Sequence, residues 1–164
     1  MQTATSFTGS VGTISSGRQT GQFTAGSRTV HFVLWFSNTQ NAVLMTTDSN
    51  LLETGLVRLQ SATTIGSGNY ALHYSGATFS GPLALEGQLL ADGSSVFTGL
   101  EDFNVGGALA SGATASGNYS FGSNGRGTGT IGGTPVALYP VDANTTYLLA
   151  IDGTVVTGML EAQH

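Results

Sequence analysis

Short runs of alternating apolar and polar residues, separated by Gly, Asn, Asp or Pro, fill this chain from end to end. That period of two predicts half-buried β-strands. The clearest stretch is Gly117–Gln163, GNYSFGSNGRGTGTIGGTPVALYPVDANTTYLLAIDGTVVTGMLEAQ. Asn124-Gly125 lies between two such runs and predicts a hairpin with a two-residue type I′ turn, because both residues tolerate positive φ. Ser123 then pairs with Arg126, Phe121 with Thr128 and Tyr119 with Thr130. Val136–Tyr139 is stopped by Pro140, which has no N–H to give a ladder. Asp142-Ala-Asn144 and Asp152-Gly153 are turns, leaving Thr145–Ile151 and Val155–Ala162 as strands. Strands this closely spaced leave no room for a helix.

Residues 9–60 repeat the wording. Gly9, Gly17, Arg18, Thr20 and Gly21 stand 108 positions before Gly117, Gly125, Arg126, Thr128 and Gly129. Ala42–Asp48 stands 104 positions before Thr146–Asp152, and Thr54-Gly55 aligns with Thr157-Gly158. Two copies are too few for a solenoid. The expectation is one all-β domain over residues 1–164, an antiparallel meander closing into a barrel-like body. Its pseudo-repeated halves would be about 7–60 and 113–163, joined by a three-strand segment, 68–104.

In the first half the pattern predicts strands at Phe7–Ile14, Arg18–Thr24, Arg28–Phe36, Asn41–Thr47 and Thr54–Leu59. The third is apolar on both faces, as in a strand covered on both sides or facing a cavity. In the joining segment Asn69–Ser75 and Leu83–Ala91 precede a second hairpin signal, Asp92-Gly93. A two-residue loop there puts Leu83, Leu85, Leu89, Val96 and Leu100 on one face with Asp102 at its end. Glu86, Gln88, Phe97, Glu101 and Phe103 fall on the other. Thirteen strands result.

Composition narrows the function classes. One domain of 164 residues can bury roughly 70% of its unfolded surface. Twenty-five glycines beside 40% hydrophobic residues suit turns and barrel corners rather than disorder. A net charge of −5, with four arginines as the cations, disfavours nucleic acid, since a row of phosphates would go unneutralised. Without cysteine, disulfides and thiolate metal sites are excluded. The opening residues lack the charged and apolar regions of a signal peptide. No apolar run approaches the ~20 residues of a membrane helix, and most strands fall short of the ~9–11 residues an outer-membrane barrel needs, so no membrane insertion is expected.

From Gly68 onward the recurring wording is Gly68-Asn-Tyr70, Ala91-Asp-Gly93, Thr98-Gly-Leu-Glu-Asp102-Phe-Asn104, Gly117-Asn-Tyr119, Gly125-Arg-Gly-Thr128 and Gln163. It resembles a β-rich repeat module of predicted bacterial cell-surface and secreted proteins of unassigned function, and residues 7–60 resemble the back half of another copy. The resemblance implies an extracytoplasmic setting and brings no activity or catalytic residue. The missing leader departs from the secreted pattern.

Candidate chemistry rests on few residues. Glu86, Glu101 and Asp102, with His73 or His31, are the raw material for acid–base work, since a carboxylate held against apolar surface has a raised pKa. The alternative is a solvated strand face with Asp102 capping a turn. Neither His31 nor His73 has metal-ligand spacing, so no metal or cofactor is expected. Arg18 and Arg126, after equivalent turns, either clamp an anion or tether their own loops to backbone carbonyls or a nearby Asp. Trp35, Tyr70, Tyr74 and Phe97, with Phe32, Phe36 and Phe103, either stack on a ligand or pack a core. The expected function is a binding or structural module taking a small apolar or saccharide ligand in the barrel mouth. The alternatives are a small hydrolase or lyase using buried carboxylates with a His, and a purely architectural repeat. Oligomeric state is left open.

Overall fold

The computed structural model describes residues 6–164; residues 1–5, which carry most of the expected absence of a leader, lie outside them. Among the described residues there are thirteen strands: β1 (Phe7–Val11), β2 (Arg18–Ala25), β3 (Arg28–Phe36), β4 (Asn41–Thr46), β5 (Thr54–Arg58), β6 (Ser67–Thr78), β7 (Gly81–Asp92), β8 (Val96–Val105), β9 (Ala108–Phe121), β10 (Gly127–Ile131), β11 (Thr134–Pro140), β12 (Thr145–Ala150) and β13 (Val155–Ala162). Every strand pairing among them is antiparallel, as the short turns between consecutive strands require. Among the described residues no helix is long and apolar enough to cross a membrane.

The chain divides into two compact units, Met1–Leu59 and Gln60–His164, where the sequence suggested a single domain. The first holds an open sheet in the order β1-β2-β3-β4-β5. The second is a closed eight-stranded barrel, β10-β11-β12-β13-β6-β7-β8-β9. The joining segment supplies three long strands, β6–β8, and pairing of β13 with β6 closes the ring. Leu72, Leu89, Phe97, Val136, Leu138, Val156 and Leu160 are fully buried. Each contributes about 1.5–3 kcal/mol of transfer free energy. Eight strands enclose a space that such side chains fill.

Both hairpin registers differ from expectation. At 123–125 the loop has three residues: Gly125 N–H donates to the Gly122 carbonyl at 3.0 Å, and Gly122 N–H to the Arg126 carbonyl at 3.0 Å. Only Gly125 takes positive φ (78°), so Asn124 escapes the conformation a type I′ turn demands. Phe121 and Tyr119 therefore oppose Gly127 and Gly129 rather than threonines. At Asp92 the carboxylate accepts the N–H groups of Ser94, Ser95 and Val96 at 2.8, 2.8 and 3.0 Å, which wraps the loop around it. Pairing resumes at Ala91 with Phe97. The resulting slip by an odd number of positions reverses the faces of β8. Phe97, Gly99, Glu101 and Phe103 share the inner face with Leu85 and Leu89, while Val96, Leu100 and Asp102 point outward. Gly99 is required there, because a Cβ would collide with the Gln88 carbonyl oxygen.

Strand for strand, β1–β5 and β9–β13 have the same order and register. Val11 opposes Gly21 as Tyr119 opposes Gly129. Gln19 opposes Leu34 as Gly127 opposes Leu138. Phe32 opposes Thr46 as Val136 opposes Ala150, and Met45 opposes Thr54 as Leu149 opposes Thr157.

Candidate functional site

The expected acid–base residues do not converge. Glu86 lies opposite Asp102 and beside His73 on the outside of the barrel, and Glu101 alone turns inward. This corrects the pairing of Glu86 with Glu101 on one face and of Asp102 with the core: the sheet separates Glu101 from the other two. Asp102 caps a β-bulge, accepting Ser111 Oγ–H at 2.7 Å and Gly112 N–H at 2.6 Å. Those bonds hold its carboxyl below the usual carboxylate range.

On the outer face His73 Nδ1 meets Glu86 Oε1 at 2.6 Å, and Ser75 Oγ lies 3.3 Å from His73 Nε2. The order hydroxyl, imidazole, carboxylate is that of an activated serine. The surroundings differ from those of a nucleophile. Both side chains of the His–Glu pair are about half exposed or more. β6 is laddered on both sides, Ser75 opposing Ala84 and Thr157, so the neighbouring N–H groups are committed and cannot form an oxyanion hole.

Inside the barrel, Glu101 Oε2 and Tyr74 Oη are buried without a hydrogen-bond partner. Burial raises the Glu101 pKa, and burial followed by the charge of Asp152 pushes Tyr74 up to about 12. Glu101 packs against the β10–β11 turn at Gly132. Of the aromatic residues offered as ligand contacts, Tyr70, Tyr74 and Phe97 are barrel core, whereas Trp35 is half exposed. Tyr70 donates to the Gly66 carbonyl at 3.2 Å, and Phe97 packs on Tyr119 with centroids 4.4 Å apart. Tyr119 in turn donates to Asp92 at 3.2 Å.

Arg18 and Arg126 each meet a cross-strand aromatic. Arg18 Cζ lies 5.6 Å from the Trp35 ring centroid, and Arg126 Nε donates to Tyr139 Oη at 3.3 Å. On the same outer face of the five-stranded sheet, His31 is fixed by Asp48, which accepts its backbone N–H and contacts Nδ1, each at 2.8 Å. These bonds, the backbone one first, lower the Asp48 pKa. A cavity of about 640 Å³ includes Ser10, Gln22, His31 and Asp48. Gln22 stands between Ser10 and His31 in the register, so two strand spacings of ~4.8 Å keep that serine from the imidazole. Among the described residues no group of three or more His, Asp or Glu side chains could hold a metal.

The concave face of β1–β5 is different in kind. Phe7, Val11, Phe23, Phe32, Leu44 and Val57 line an apolar groove of about 640 Å³. Phe32, Leu34 and Ala42 form its buried floor, while Phe7, Val11 and Val57 stay exposed. Of these residues only Phe32 stood out in the sequence as a possible ligand contact. Phe7, Val11 and Val57 could have been found by aligning the two halves, because their counterparts Ala115, Tyr119 and Leu160 are barrel core. Compared with known proteins, the chain matches no family model, no curated protein and no solved structure.

Proposed function

We propose that this chain is a binding and structural β module of a bacterial surface or secreted protein, with the concave face of β1–β5 as its binding surface. The observation that carries the reading is the apolar groove with exposed Phe7, Val11 and Val57 on its walls. A contiguous apolar face open to water marks an interaction site. Side chains occupy the barrel interior, which favours the groove over the barrel mouth as the place for a ligand. The resemblance of the wording from Gly68 onward to bacterial surface modules supports an extracytoplasmic setting. The charge of −5 weighs against a nucleic-acid partner.

The test is titration of the full chain with 1-anilinonaphthalene-8-sulfonate. Saturable one-to-one binding, weakened about tenfold by Val57→Asp with the barrel's melting unchanged, is the expected result. Absence of dye uptake, or indifference to Val57→Asp, ends the reading.

A second reading, hydrolysis of an activated ester on the barrel exterior without an oxyanion hole, rests on the Ser75–His73–Glu86 chain. It requires turnover of p-nitrophenyl acetate that Ser75→Ala abolishes; an unchanged rate in that variant removes it.

A further inference from the structure

We infer that the concave face of β1–β5 is completed by a three-stranded antiparallel ribbon of the β6–β8 kind, which turns the open sheet into a second eight-stranded barrel. The inference rests on the groove being a binding surface and names its occupant.

The first ground is topological. β1–β5 reproduce β9–β13 in order and register, and in the barrel β6–β8 bridge the two outer strands of that set, β6 pairing with β13 and β8 with β9. In the five-stranded sheet β1 and β5 are the outer strands, with no further strand laddered to them among the described residues. Open edges with apolar side chains are templates for strand addition.

Exposure gives the second ground. Phe7, Val11 and Val57 are 72%, 59% and 39% exposed, and their counterparts Ala115, Tyr119 and Leu160 are 0%, 3% and 0%. The positions that lose burial lie on the two strands that β6–β8 cover in the barrel. In the barrel Leu160 opposes Leu72 and Ala162 opposes Tyr70, so Val57 and Leu59 would receive a leucine and a tyrosine.

The third is a glycine. Gly158 has no room for a Cβ, which would lie 2.7 Å from the Tyr74 ring of β6 and collide with the His73 carbonyl oxygen. Gly55, its counterpart, has nothing within 4 Å. A glycine inside a strand costs backbone entropy, and a closely approaching partner strand gives it a reason to be there.

The experiment places a copy of residues 60–108 before residue 1 of the full chain, so that the copied ribbon stands in the same sequence relation to β1 as β6–β8 to β9. Native-state amide exchange and dye binding are compared with the unextended chain. The β5 edge amides should slow about a hundredfold and dye uptake should vanish, while the original β6–β8 amides exchange as before and report an intact barrel. A copied ribbon carrying Leu72→Asp and Tyr74→Asp should give neither effect. Edge amides that exchange equally fast with and without the unaltered ribbon overturn the inference. So does an unextended chain that dimerises with its β1 and β5 edges already protected, since a second copy is then the occupant. Failure of the unextended chain to take up dye defeats the functional reading instead, and the exchange rates judge the ribbon separately.

Discussion

Glu101 is a carboxylate turned into a barrel whose other inward side chains are almost all apolar, with Oε2 lacking a partner. Burial raises its pKa above the ordinary 4.5, so the charged form is less stable folded than unfolded. The destabilisation is absent below pH 4.5, grows as pH rises through the folded-state pKa and is complete above it. Glu101→Gln removes the charge at nearly constant volume. A buried polar group left unsatisfied costs about 1–3 kcal/mol, and more when charged, so the variant should gain at least about 1 kcal/mol at pH 7. For a domain of this size that raises Tm by about 4 °C. At pH 3.5, where Glu101 is protonated in both folded and unfolded chains, the gain should vanish. Thermal unfolding followed by circular dichroism at the two pH values measures both. Equal gains at pH 3.5 and pH 7 would show that the charge is not the cause, and a loss at pH 7 would show that the carboxylate is stabilised where it sits; either result would refute the reasoning.

Other outcomes test the frame around it. Asp92, held at a pKa of about 2 chiefly by the N–H groups of Val96, Ser94 and Ser95, stabilises the barrel above the unfolded value near 3.8. Denaturant melts should show that contribution disappearing as pH falls from about 4 to about 2, and Asp92→Ala should lower stability at pH 7 while flattening that dependence. Gly99→Ala, with its Cβ driven into the Gln88 carbonyl oxygen, should cost about 1–3 kcal/mol in urea unfolding; a neutral result would mean that β7 and β8 are not so closely apposed.

The strand inventory was legible because alternation and turn residues are local. Arg28–Phe36 has the bounds the pattern predicts, and Arg18–Ala25 differs by one residue. Register was not legible. Asp92-Gly93 announces a turn, yet the loop length is set by one carboxylate gathering three successive N–H groups, and that choice decided whether Glu101 or Asp102 faced the core. The division into a sheet and a barrel was equally hidden. The repeated wording of 9–60 and 117–163 gives no hint that one set is closed by β6–β8 while the other stays open. The site escaped a search for acids, bases and rings, because Phe7, Val11 and Val57 are ordinary core residues by type and unusual only by exposure. His73 with Glu86 was visible as material for chemistry, and their direct contact follows from a cross-strand register that no spacing rule supplies.

The pairing of Tyr70 with Ala162 ties together positions far apart along the polypeptide. Such a latch raises contact order and slows folding. During translation β6 can zip to β7 early, but its other edge must wait until residues 155–162 have left the ribosome. Until then the nascent chain presents a strand with one open edge that carries Leu72 and Tyr74, the kind of template that recruits neighbours. The interval before β13 docks is therefore when this barrel is most open to pairing with the wrong strand.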